Sequence, residues 1–534
     1  MVRFFFAMKT NTRIASNKEF KLFQIERPFS FFDFVDNCFP GLTSLKRIFS
    51  QIRQLEGKTM ILEEIENSDD LIEENEDLEK LHCSLKKSKS FRLSFFSVTI
   101  TNETELKTIK NDFFLGYAII KQDRFSSSRQ LSRIYESVIS ISHYPNNFIH
   151  GMQNWKCLIL DEEFYIKGYL YAQQNHLTNV CAHVAIRSAV ARYHPDGDIS
   201  YREMNDIIGV DHVNKKATPG LIAEDIIKIL ETSGANCFVG DFSNPIIPPV
   251  PFQKYLYSSI ESGCPAIVCF GVKQGYHAIP IFGHTFNQDT WVPNADFSYF
   301  QIGAGTQYIP SESWLSMFIG HDDNFGSNFC IPRRYLATKT ICGYNTQPPE
   351  FCKEDSEGVV YAIGTTPKAV KMNPIRAEAI GVEYLFMILN QVLDTSTVWC
   401  KRLQNYAKDS QLVIRPILIT LEDYIFHLKN IKDWNGKLIL NDVIEPINEI
   451  IESGLYWLIE LSVPELFQAN RRKIGEVLLR SDVESVYNRD FSEFVIARIP
   501  DRFVLFEGLE ALTPKFKFIQ TGMDSHVELF GTQV

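Results

Sequence analysis

Cap and turn residues in the middle third of this 534-residue chain fall in an order that restricts the fold more than any other feature: helices first, then strands. Thr178 or Asn179 can cap a helix that begins at Cys181 and runs through Val184-Ala185-Ile186-Arg187 to about Tyr193. Ser200-Tyr201-Arg202-Glu203 is a capping box that opens a second helix, and Thr218-Pro219 opens a third that ends near Gly234. Asn236 to Gly240 reads as a short strand. Pro245, Pro248, Pro249 and Pro251 make a rigid connector, and Phe252 to Ser262 a helix closed by Gly263. The apolar runs Ala266 to Phe270, Tyr276 to Phe282 and Ser316 to Gly320 then read as strands. Helices followed by mostly antiparallel strands define an α+β unit, expected over residues 150–344.

The flanks are read from composition shifts. Residues 1–149 are expected to form an N-terminal β-rich or mixed region, with strands from Phe91 to Ile100 and Phe113 to Ile120. Inside it lies an acidic segment, 63–79, in which ten of 17 residues are Asp or Glu and none is Lys or Arg; it reads as a solvated helix or linker rather than a docking tail. Pro348 and Pro349 mark a boundary, and residues 345–534 are expected to form a C-terminal α/β-type domain. It opens with a helix from Asn373-Pro374 to about Asp394. Strands are expected over Leu412 to Leu421, placed at a sheet edge by Pro416, over Leu455 to Leu461, and in pieces from Phe494 to Phe506, with a helix from Asn470 to Leu479.

Composition excludes several classes. With 65 acidic and 54 basic residues the net charge is -11, which repels phosphate backbones and argues against nucleic acid as a partner. No stretch of 18 apolar residues exists, and the Phe4-to-Met8 run meets Lys9 at once, so neither a membrane span nor a secretory segment is expected. Eleven cysteines, an odd number without any C-x-x-C pair, point to free thiols and a cytoplasmic location rather than to a disulfide framework or a zinc ribbon. No cofactor or metal site is expected. A set of Cys181, His183, His321 and Asp322 lacks paired ligand spacing, and Gly303-Ala304-Gly305 lacks the context of a nucleotide loop.

One cysteine stands apart. A nucleophilic thiolate is stabilised by the unpaired N–H groups and positive dipole end of a helix N-terminus, and by a neighbouring imidazolium. Cys181 occupies such a start. His183, two positions on, is turned about 200° around the helix, so His277, opening an apolar strand after Gly275, is the candidate partner. An amide upstream of the nucleophile can help bind an oxyanion; Gln174 is the candidate, with Gln173 and Asn175 as register alternatives. Strict alternation places Met317, Ile319, His321 and Asp323 on one strand face and Asp322 on the other, so a single Asp is expected to orient His277. Asp323 is chosen and Asp322 held in reserve; Asn294 and Asp296 are rivals that fall in a loop.

Over residues 150–340 the chain resembles papain-like cysteine peptidases, especially compact bacterial ones such as the double-glycine leader peptidases. The resemblance rests on a Gln before a Cys at a helix start, on Glu261-Ser262-Gly263-Cys264-Pro265-Ala266-Ile267-Val268 preceding Gly275-Tyr276-His277-Ala278-Ile279, and on Asp323-Asn324-Phe325-Gly326. It departs from the family in lacking Cys-Gly-Ser-Cys-Trp and in the long segment Asn287 to Ser313. The resemblance implies a papain-like central domain with Cys181 on the helical side and His277 on the sheet side, and thiol hydrolysis of amide bonds in a protein or peptide substrate; the flanking regions, which carry no visible chemistry, are expected to dock partners or keep the site covered. Deamidation and acyl transfer use the same residues, and an inactive binding scaffold is the alternative from a different class.

Overall fold

A computed structural model describes residues 19–25, 31–81, 84–127, 129–141, 147–175, 180–210, 220–243, 250–272, 275–286, 307–333, 358–392, 397–484, 491–510 and 513–531. It is a mixed α+β structure in which three mainly antiparallel sheets each carry helices.

The N-terminal sheet orders Glu19–Gln24, Thr59–Ile65, Leu85–Phe96, Phe114–Phe125 and Gln130–Ile139 in sequence. Successive residues supply different cores. Met60, Phe95 and Ala118 pack under the helices Phe31–Cys38 and Thr43–Gln54, while Ile61, Phe96 and Ile119 face the hairpin Gln153–Ile159 and Glu162–Gly168. Burial on both faces explains why Phe114 to Ile120 reads as a nearly continuous apolar run. The acidic segment splits between the strand Thr59–Ile65 and the helix Asp69–Leu81, and Arg202 of the second central helix pairs with Glu73, Glu76 and Asp77.

In the central sheet the strands run Gly326–Pro332, Leu315–Asp322, Gly275–Phe286, Ala266–Val272, Val359–Pro367 and Ala235–Asp241, all antiparallel. Ile267 and Cys269 face helices Cys181–Val190, Tyr201–Ile208 and Ala223–Thr232, whereas Ala266, Val268 and Phe270 face helix Phe252–Glu261. Ser200 caps the second helix by accepting from Glu203 N, as the sequence pattern requires. The sheet extends across the boundary expected at residue 344, because Val359–Pro367 lies inside it between Ala266–Val272 and Ala235–Asp241. Sequence-distant pairing leaves no local signal, so the prolines were the only boundary cue.

The C-terminal sheet orders Ile309–Pro310, Val413–Thr420, Leu455–Ser462, Gly475–Arg480, Phe494–Ile499, Arg502–Glu510 and Thr513–Gln520. Helices Pro374–Gln391 and Val398–Lys408 cover one face, and Leu421–Asn430 and Asn441–Ile450 the other. Pro416 stands beyond the reach of the two-residue strand Ile309–Pro310, at a position of the strand where no ladder hydrogen bond to it is needed. The helix expected over Asn470 to Leu479 is corrected: helix Pro464–Asn470 ends there and Gly475–Arg480 is a strand, whose glycine lets Arg498 O approach to 2.6 Å of where a Cβ would stand.

Charged residues thread these cores. Arg415, Glu460, Glu476 and Arg498 are cross-strand neighbours in one row. The ion pairs run from Glu261 of the central unit to Arg415 (2.6 Å), Glu460 (2.6 Å), Lys473 (2.7 Å), Glu476 (2.5 Å) and Arg498 (3.1 Å). His284 also bonds Glu261. A second cluster sets one ammonium, Lys254, against Glu312 (3.3 Å) and Glu378, all fully buried, with Tyr308 Oη donating to Glu378 at 2.7 Å. Burial, and then the charge of Glu312, push Glu378 up to about 7 against the pull of Lys254. A carboxyl whose folded pKa lies above its unfolded value stabilises fully below the unfolded value and loses that contribution as pH rises through the folded one. The stability that Glu378 contributes is therefore expected to fall between about pH 4.5 and pH 7, and Glu378→Gln to remove that part of the pH dependence of the melting temperature; an identical pH dependence in both proteins would contradict it.

Candidate active site

Cys181 is the first residue of its helix, and the N-cap, Val180, has no side-chain acceptor. The first N–H groups of the helix thus keep their positive character beside the thiol. Thr178 and Asn179 lie outside the described residues. The thiol is partly exposed and its Sγ stands 3.8 Å from Tyr276 O.

Opposite it, the strand Gly275–Phe286 presents His277 across from Phe270, whose ring closes edge-on over the imidazole at 5.2 Å. Nε2 of His277 faces Asp322 Oδ2 at 3.5 Å and Asp323 Oδ1 at 3.3 Å. Nδ1 is then the ring nitrogen left for Cys181. Burial pulls the imidazolium down. Hydrogen bonds to Asp322 and Cys181, with the charges of Asp323 and Asp322, outweigh that pull and raise His277 to about 11. Asp323 is pushed up to about 7 by burial, against the lowering charge of His277, with the charge of Asp322 adding to the rise.

The expectation that one Asp alone faces His277 is corrected. The pairing register slips between Gly320 and Asp322, the strand ends at Asp322, and Asp323 begins a turn. Alternation stops there, so both carboxylates turn to the same nitrogen. Asp322 Oδ1 accepts from the N–H groups of Asn324 (2.8 Å) and Phe325 (3.1 Å), which fixes its other oxygen toward His277. Asn324, in the turn after Asp323, completes the group: its Nδ2 donates to Asp323 Oδ1 at 3.2 Å and lies 3.5 Å from His277 Nε2, and its Oδ1 accepts from Gln174 Nε2 at 3.2 Å.

That bond distinguishes Gln174 from its two neighbours. Gln173 is buried and its Oε1 accepts from Ser44 Oγ (2.9 Å) and Ile134 N (3.2 Å), a bracing role. Asn175 is buried beside the acidic helix, where it lines a cavity with Glu74 and Asp77. Gln174 is the amide joined to the His277 group.

The N-terminal region buttresses the site directly. From helix Thr43–Gln54, Arg47 donates to Asn328 O at 2.8 Å and Gln51 to Ser327 O at 2.7 Å, just beyond the acidic turn. Gly326 there has φ +116°, and a Cβ would meet the Arg47 side chain at 2.9 Å. No sequence signal linked this helix to the site.

His183 turns away, as expected, and bonds Asn205 Oδ1 at 2.8 Å. His321 accepts from Asn328 N at 3.1 Å and lies 3.2 Å from Tyr169 O, a neutral structural imidazole that burial lowers to about 3. Neither joins Cys181. Asn294 and Asp296 lie outside the described residues. Of the other thiols, Cys157 is raised to about 11, and Cys237 and Cys269 to about 12, chiefly by burial. Ligand atoms of His277, Asp322 and Asp323 lie within 4.8 Å of one another, the group among the described residues that offers a metal ion a place.

Compared with protein-family models, curated proteins and solved structures, the chain finds no match in any of the three. What it can do has to be read from these side chains. Among the described residues no helix is long and apolar enough to cross a membrane.

Proposed function

We propose that this chain is a thiol-dependent hydrolase of the papain-like kind that cleaves amide bonds in a protein or peptide. The observation that carries the reading is the chain of contacts from Cys181 to His277 to the paired Asp322 and Asp323. In this mechanism the Cys181 thiolate attacks the scissile carbonyl carbon. The oxyanion that forms takes hydrogen bonds from the Cys181 main-chain N–H and the Gln174 amide. His277 gives its proton to the departing amine as the C–N bond breaks, leaving a thioester. It then takes a proton from water, whose oxygen displaces Cys181 and releases the acid. The carboxylates hold the ring and offset its charge. If an amine replaces water, the same thioester completes acyl transfer; with a side-chain amide as substrate, the reaction is deamidation.

Brief iodoacetamide labelling of the folded full chain near neutral pH, followed by peptide mapping, tests the reading. Cys181 is expected to react first, ahead of the buried Cys157, Cys264 and Cys269 and of the exposed Cys38 and Cys330, whose thiols are raised. His277→Gln is expected to slow that labelling. Labelling of other thiols while Cys181 stays unmodified, or a rate indifferent to His277, would leave the fold as a binding scaffold.

A further inference from the structure

Nε2 of His277 is ringed by Asp322, Asp323 and, at 3.5 Å, Asn324 Nδ2, all at long distances that leave room for a metal ion. Its distances to the carboxylate oxygens, 3.5 and 3.3 Å, exceed the usual span of about 2.7–3.2 Å for N–H···O. Two ligand atoms bound at about 2.0–2.1 Å to a tetrahedral zinc stand roughly 3.3–3.4 Å apart. Both carboxylates are buried, at 0% and 3% exposure; Asp322 Oδ2, the oxygen toward Nε2, accepts no hydrogen bond, whereas on Asp323 the oxygen toward Nε2 is Oδ1, which accepts from Asn324, and Oδ2 is the unpaired one. An unpaired carboxylate oxygen in such surroundings calls for a cation. One imidazole and two carboxylates suit zinc-class ions; calcium and magnesium call for six or more oxygens. Cys181, which meets His277, is partly exposed.

We propose that His277, Asp322 and Asp323 bind a divalent transition-metal ion, and that this binding and hydrolysis at Cys181 exclude one another. The exclusion rests on the thiol-hydrolase reading; the binding does not. The ion takes the place of the proton on Nε2, which leaves to solvent. A ring held by a metal at Nε2 cannot cycle a proton at Nδ1 near neutral pH, so both the leaving amine and the attacking water lose their partner.

The test uses the reduced full chain after chelator treatment, titrated with cobalt chloride and followed by its visible absorption, then with zinc chloride in competition. A single equivalent is expected to bind the wild type, Asp322→Asn and Asp323→Asn each to weaken binding by about tenfold or more, and Cys181→Ser to retain it. Asp322→Asn keeps the Oδ1 that accepts from Asn324 and Phe325 N, and circular dichroism checks that both variants are folded. No binding by the wild type, binding that survives both Asn variants, or binding lost in Cys181→Ser overturns the site. In the second arm, saturating zinc is expected to cut peptide turnover to a tenth or less, with the midpoint of the binding curve and full recovery on chelation. Turnover untouched by zinc, or seen only with metal, overturns the exclusion. If the metal site behaves as expected while the metal-free chain neither turns over peptides nor labels first at Cys181, the hydrolase reading falls and the site stands.

Discussion

Cys181→Ala is expected to lower turnover of any peptide this chain cleaves by roughly 10⁴- to 10⁶-fold, the loss seen when a nucleophile acting as part of a unit is removed. Folding is expected to survive. Cys181 is partly exposed and its thiol makes one weak contact with Tyr276 O besides that with His277, so truncation belongs with substitutions costing about 1 kcal/mol or less. Thermal melting and turnover together make the check: residual activity above a hundredth of wild type with melting intact would remove Cys181 from the reaction. His277→Ala is the poorer probe, because it leaves Asp322 and Asp323 buried against each other with no cation between them.

Arg415→Met is expected to destabilise the protein by about 3–5 kcal/mol, the usual consequence of removing one partner from a buried ion pair. The guanidinium is the link between Glu261 and Glu460, both fully buried, and also donates to Phe530 O at 3.0 Å. Without it two carboxylates lose their cation, although His284 still meets Glu261 and Lys473 still meets Glu460. Adding Glu261→Gln to Arg415→Met is expected to recover part of the loss, since a neutral amide is cheaper to bury. Denaturant unfolding followed by fluorescence of the buried Trp457, which lies in the same sheet, reads both variants. A midpoint unchanged in Arg415→Met would mean that the row adds nothing to stability.

How much of this was legible in the sequence depends on how local the governing interaction is. Helix starts at Tyr201, Phe252 and Pro374 were readable because caps, prolines and terminal glycines act within one turn, whereas the helix at Cys181 begins after Val180, which gives no side-chain cap. So were His277 on its strand and an acidic turn after the next one. Gly475–Arg480 was misread because Val477, Leu478 and Leu479 suit a helix face as well as a strand buried on both sides. The two-carboxylate arrangement was hidden by a register slip at Gly320, which no alternation pattern announces. The choice of Gln174 over Gln173 waited on partners at Ser44 and Asn324, more than a hundred residues away on either side.

The placing of Val359–Pro367 inside the central sheet has a consequence for the order in which the protein is made. A ribosome that has released residue 344 has already supplied the Cys181 helix and the His277 strand, yet Ala266–Val272 still has one bare edge and Ala235–Asp241 has no strand neighbour at all. Both wait for some two dozen further residues to emerge before the sheet can close around Ile267, Cys269 and Ile363. During that interval the nascent chain shows an apolar, open strand edge of the sort that pairs with other chains. Completion of the sheet that carries His277 is thereby tied to translation of the C-terminal third, and a chain terminated early is one that chaperones and proteases meet unfinished.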